Sequence, residues 1–149
     1  MKQITKIIYT AGVVEPNELD EINIPEKYPN VFRHHMTIQF GNLDTLPDYI
    51  GKEIVFRVDT IFEDEKAIAV SGFIVFYDDE VAEQIHDLMI SNDQIAHITL
   101  ATAEGIKPVY SNELVRSKNY RFIVPIDVRL RVGAFCVFDD NSTGWVYEK

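Results

Sequence analysis

Cysteine is almost missing from this chain. Cys136 stands alone among 149 residues, so no internal disulfide can form, which fits a reducing, cytoplasmic compartment. It lies within Ala134-Phe135-Cys136-Val137-Phe138 and reads as a small buried hydrophobe. Positive charge is also scarce: 14 Lys and Arg face 24 Asp and Glu, for a net charge of −10. Proteins that track long nucleic acids are usually basic, because neutralising phosphates releases counterions. An extended nucleic-acid surface is therefore excluded, and any nucleotide must be held at a local site. No apolar run reaches the length of a membrane span, and Met1-Lys2-Gln3-Ile4 lacks the apolar region of a signal peptide. Glycine-rich phosphate loops, low-complexity tracts and linkers are missing too. With 46% hydrophobic and 26% charged residues, residues 1–149 read as a single globular domain.

What is present is strand-rich. Residues 4–14 form a first expected strand, and the acidic, proline-bearing stretch 15–30 an expected loop. Residues 32–40 follow as a strand, stopped by Gly41-Asn42. Strands over 54–61 and 67–76 flank the polar tip Glu63-Asp64-Glu65-Lys66, which predicts a hairpin. Asp78-Asp79 looks like the cap of a helix running to about residue 90, with Val81, Ile85, Leu88 and Met89 as its apolar stripe. A strand over 95–102, a short helix over 111–117 capped by Ser111-Asn112, and strands over 120–128, 130–138 and 145–148 complete the chain. The pattern favours an α+β antiparallel fold over a parallel βαβ array.

Two segments nearly repeat: His35-Met36-Thr37-Ile38 and His97-Ile98-Thr99-Leu100. Successive side chains in a strand point to opposite faces. His35, Thr37 and Gln39 should share one face, with Met36, Ile38 and Phe40 on the other. His97 and Thr99 likewise oppose Ile98 and Leu100. Each strand thus buries an apolar face and presents an imidazole with a hydroxyl roughly 7 Å further along. A coarse two-fold repetition of the chain would turn both offers toward one cleft.

A phosphodiester between such strands meets what its cleavage requires. Imidazoles titrate near neutrality, so one can take a proton while the other gives one. Two hydroxyls can bond the oxygens that gain charge in the transition state. No metal or other cofactor is needed, and no third His, Cys or carboxylate recurs at ligand spacing. The paired His-x-Thr-hydrophobic motifs resemble those of the two-histidine (2H) phosphoesterases. That resemblance implies two antiparallel β lobes related by a pseudo-two-fold, helices on the outside and a central cleft. It also implies His35, Thr37, His97 and Thr99 as the catalytic residues, without saying which histidine is the base. The segment from His97 to Ala103, with Lys107-Pro108-Val109 and Ser111-Asn112, looks like the fungal tRNA ligase phosphodiesterase.

The expected activity is therefore metal-independent hydrolysis of a nucleotide phosphodiester: a 2′,3′-cyclic phosphate RNA end, or a small cyclic or 2′,5′-linked nucleotide. The alternatives are a non-catalytic nucleotide-binding module and an enzyme that degrades signalling cyclic dinucleotides in phage or bacterial defence. Lys107 and Tyr9 are candidate substrate-binding residues, for phosphate charge and base stacking respectively. Arg33 and Trp145 are weaker candidates for the same two tasks. His34 alternates onto the apolar face and reads as a packing residue, and His86 as a solvated helix position.

Overall fold

A computed structural model of the chain describes residues 2–75 and 79–149. The strands are β1 (Ile4–Val14), β2 (Asn30–Val31), β3 (His35–Leu43), β4 (Glu53–Glu63), β5 (Ala67–Val75), β6 (His97–Thr102), β7 (Tyr120–Phe138) and β8 (Thr143–Val146). Helix α1 (Glu80–Ser91) precedes β6, and a 3-10 turn (Pro108–Tyr110) leads into the short helix α2 (Ser111–Leu114). All strands join one antiparallel sheet in the order β2-β6-β5-β4-β7-β1-β3, with β8 on the part of β7 that β4 has left. The sheet curls into a half-barrel, so that β3 and β6, near opposite ends of that order, meet.

The sequence pattern explains most of these elements. In β4, Ile54, Phe56 and Val58 alternate inward against Ile74 and Val128, all buried, as a half-buried strand requires. Helix α1 begins where the Asp79 carboxylate accepts from the Val81 and Ala82 amides, satisfying two of its orphan donors. Its Ala82, Ile85 and Met89 pack in the main core with Met36, Ile38, Ile98 and Leu100. Phe76 and Asp78, included in the expected strand and cap, lie outside the described residues.

Two expectations need correction. The final strands expected at 120–128 and 130–138 are one strand of 19 residues. It lies beside β4 along its first part and β1 along its last. A strong bulge interrupts it: β4 advances from Val58 to Thr60 while β7 goes from Ile126 to Phe122. Pro125 sits in that bulge, where its missing N–H costs no ladder bond. The second correction concerns Phe40. Between Ala11↔Thr37 and Thr10↔Gln39, β3 carries one extra residue, and such a bulge reverses the alternation beyond it. Phe40, expected in the core, is instead 72% exposed.

Gly72 pairs with Val58 beside the β4 bulge. A Cβ there would lie 1.8 Å from the Arg57 carbonyl oxygen, so the strands must separate to admit it. Gly72→Ala is expected to destabilise the fold by about 1–3 kcal/mol, read as a lower denaturant midpoint at unchanged slope.

Candidate active site

The chain between β2 and β3 builds the site. Phe32 N–H donates to the Leu100 carbonyl and Arg33 N–H to the Thr99 carbonyl, both on β6. One residue later, the His34 carbonyl accepts from Val14 N–H on β1. The backbone thus steps from β6 to β1 within a few residues, turning at Arg33 with φ 48°. His35 then opens β3 opposite Val13. Motif one is tied by its own backbone to the strand that carries motif two.

The result is a cleft of about 930 Å³ lined by His35 and Thr37 from β3 and by His97 and Thr99 from β6. Met36, Ile38, Ile98 and Leu100 on the opposite faces are fully buried, as the alternation predicts. Gln39 also reaches the cleft. Its carbonyl oxygen accepts from Tyr49 Oη at 3.3 Å, and that hydroxyl also bonds the buried Thr10 at 2.9 Å.

The two imidazoles sit in different surroundings. His97 Nδ1 lies 2.7 Å from the Ile95 carbonyl oxygen. A carbonyl only accepts, so Nδ1 carries the hydrogen and the neutral ring keeps its lone pair on Nε2. That nitrogen lies 3.1 Å from Ser111 Oγ, which is also 2.6 Å from Thr99 Oγ1. His35 Nδ1 instead faces His34 Nδ1 at 3.0 Å. Tyr9 stacks on the His35 ring at 5.3 Å, with Trp145 edge-on to Tyr9 and tilted against His35.

Burial pushes the His35 pKa down to about 4, helped by the nearby His34 and His97. His97 is also lowered, first by burial and then by Arg116, while its bond to the Ile95 carbonyl works the other way. Neither ring readily holds charge in the cleft, because desolvation penalises the imidazolium.

The remaining expected residues are placed unevenly. Tyr9 lines the cleft but is covered by His35, Phe40, Phe135 and Trp145. Phe40, stacked over Tyr9 at 6.0 Å and 9°, also lines the cleft and is largely exposed, which leaves a ring face open. Lys107 is exposed ahead of the 3-10 turn and is not on the cleft wall. Among the described lining residues, Arg116 is the one that carries a permanent positive charge. It donates to the Asp93 carbonyl at 2.6 Å. Arg33 supports structure, donating to the Ile22 carbonyl at 3.0 Å. Contrary to the alternation, His34 is exposed on the cleft and packs against Trp145. His86 lies beside Asp87 on α1, away from the cleft wall. No three or more His, Cys, Asp or Glu come together as a metal cluster among the described residues, and no described helix is long and apolar enough to cross a membrane.

Sequence reasoning missed Ser111 and Arg116. Ser111 was expected as a helix cap, yet its side chain makes no cap bond and turns inward to the motif residues. Its position beside Lys107-Pro108-Val109 in the family-like segment was the available signal.

A histidine lowered on folding binds fewer protons in the folded state than in the unfolded one, so acidification favours unfolding. Stability should fall as pH drops from about 6.5 to about 4, the window between the unperturbed and folded values for His35, and His97 adds in the same direction. In His35→Asn the loss between pH 7 and pH 5 should be smaller than in wild type, as measured by denaturant midpoints at both pH values.

Comparison with known proteins adds an independent result. The chain matches the model of the fungal tRNA ligase phosphodiesterase domain over residues 19–122, a span that contains β3, β6 and α2 but not β1 or β8. No curated protein matches the chain. With the match covering more than half of the sequence, the chain belongs to the fungal tRNA ligase phosphodiesterase domain family, a phosphodiesterase domain of the two-histidine type.

Proposed function

We propose that this protein hydrolyses a nucleotide phosphodiester without a metal, acting on a 2′,3′-cyclic phosphate RNA end or a small cyclic or 2′,5′-linked nucleotide. The observation that carries this reading is the convergence of two imidazole–hydroxyl pairs on one cleft. His97 is the base, because the Ile95 carbonyl holds its hydrogen on Nδ1 and leaves Nε2 to accept a proton. His35 is then the acid. Water attacks phosphorus and gives its proton to His97 Nε2, while the P–O bond to one ribose oxygen breaks. His35 supplies the proton that the leaving oxygen takes, and solvent later resets both rings. Thr37 and Thr99 bond the non-bridging oxygens as charge grows there.

The lowered pKa of His35 suits this cycle. An anionic phosphodiester between the rings supplies the counter-charge that burial first, and the neighbouring imidazoles second, withhold from a protonated His35, so substrate binding itself loads the acid. Arg116 supplies the permanent charge on that wall. The free face of Phe40 offers a stacking surface for the base, with Gln39 beside it for an edge contact. The acidic surface favours a small nucleotide or an RNA end over the body of a long RNA, in a cytoplasmic setting. The expected pseudo-two-fold, with helices outside its two halves, remains part of this reading. In its favour, each motif strand is third from the β4–β7 seam in the sheet order.

Purified protein in EDTA should convert 2′,3′-cyclic mononucleotides to monophosphates, followed by chromatography beside 2′,5′-linked and cyclic dinucleotides. His35→Ala and His97→Ala should each lower turnover by about 10²–10⁴-fold with wild-type circular dichroism. Phe40→Ala should raise KM several-fold and leave kcat nearly unchanged. Tight binding without product would make the cleft a nucleotide-binding module. Turnover of cyclic dinucleotides alone would move the substrate to that class.

A further inference from the structure

Ser111 is 1% exposed, and its single hydroxyl proton has more partners than it can serve. Its Oγ lies 3.1 Å from His97 Nε2, 2.6 Å from Thr99 Oγ1 and 2.8 Å from the Pro108 carbonyl oxygen. On the other side of His97, the Ile95 carbonyl accepts from Nδ1 in every charge state of the ring. Every change in the charge of His97 therefore occurs at Nε2, against Ser111. A group that titrates in a buried site loses a hydrogen bond in one of its states unless its neighbour can both give and receive. A hydroxyl can do both.

We propose that Ser111 is a positioning residue for His97 and Thr99, whose proton moves between His97 Nε2 and the Pro108 carbonyl as His97 loses or gains charge. The proposal rests on the reading of His97 as an acid–base group. With His97 neutral and the cleft empty, Ser111 O–H points to Nε2 and accepts from Thr99 O–H. When a nucleophile donates to Nε2, the serine proton swings to Pro108, an acceptor already at hydrogen-bond distance. Once Nε2 has taken the proton, its N–H is left with Ser111 Oγ as acceptor. No buried group is orphaned at any stage.

The turn is held for this purpose from outside the site. Tyr110 Oη donates to the Asp64 carboxylate in the β4–β5 hairpin. Leu114 and Val115 pack with Phe62, Ala67 and Ala69, so the hydroxyl is presented from a clamped backbone. The charged and titratable groups that line the cleft with His97 are Tyr9 from β1, His34 and His35 from the β3 side, Asp93 from the loop after α1, and Arg116 beyond α2.

The test is the His97 titration, followed by NMR of its ring nitrogens in wild type and Ser111→Ala, with the pH profile of kcat. Removing the hydroxyl takes away the acceptor of the charged ring. The His97 midpoint should move to lower pH, and the acid limb of kcat with it. The rate at neutral pH should fall at least about tenfold, with KM changed much less. Ser111→Thr, which keeps the hydroxyl, should restore the midpoint. Should Ser111→Ala not fold, Ser111→Cys, a near-isostere with a weak donor, should shift the midpoint in the same direction. An unmoved His97 midpoint in a folded variant overturns the proposal. A moved midpoint in a protein that turns over no phosphodiester would leave the Ser111 coupling standing and remove the hydrolase reading instead.

Discussion

Everything in the cleft depends on the short crossing of residues 30–35. Arg33 is bonded through its amide to Thr99, and His35 follows two residues later, a reach of at most about 7 Å. The two motifs are therefore neighbours through backbone hydrogen bonds and a two-residue covalent step, whatever the far parts of the sheet do. The crossing is not an easy path. Arg33 holds φ 48°, which is unfavourable for a residue with a Cβ, and its Nε is the buried side-chain nitrogen without a partner among the described residues. Bonds from its guanidinium to the Ile22 carbonyl and toward Asp20 hold the turn in place. Strain concentrated at a connection between functional strands is where such features usually occur.

The electrostatics of the cleft follow from that closeness. Two imidazoles are packed into one partly desolvated space, next to a guanidinium and within a protein of net charge −10. Long-range repulsion of anions by the acidic exterior is screened over about 10 Å in salt. Inside the cleft, burial holds the two motif bases, His35 and His97, below their ordinary values. In the proposed reaction, an arriving anion supplies the counter-charge that makes protonation favourable. Selectivity for a small anionic ligand then needs no basic surface.

Much of this was legible in the sequence, and the rest was lost for identifiable reasons. The strand at 4–14, the hairpin around Asp64 and the helix capped by Asp79 depend on local signals: alternation, turn residues and a cap. The motif faces were also readable, since Met36, Ile38, Ile98 and Leu100 must be buried if the histidines are not. What failed depended on register. One extra residue near Ile38 carries Phe40 from the core to the cleft, and nothing in the local pattern announces it. His34 escapes the alternation because it belongs to the crossing and not to the strand. Lys107 looked favourable by sequence proximity, but the chain turns after Pro108 and brings Arg116 to the wall instead. Ser111 carried a true local signal, a hydroxyl at a helix start, that pointed to the wrong partner.

The near-identity of the two motifs hides a difference that only the tertiary structure creates. His97 is held by a backbone carbonyl and a serine hydroxyl, both with fixed places in the hydrogen-bond network. His35 is held by aromatic rings and by another imidazole. A carbonyl on Nδ1 permits one neutral tautomer, whereas an imidazole on Nδ1 permits two, since either ring can be the donor. The first environment suits a base that must present the same lone pair each cycle. The second leaves the hydrogen of the His34–His35 contact free to sit on either ring, so His35 is not confined to one tautomer. Duplicated sequence thus supplies two matched imidazole–hydroxyl pairs on one cleft, and the proposed division into acid and base rests on their unmatched surroundings.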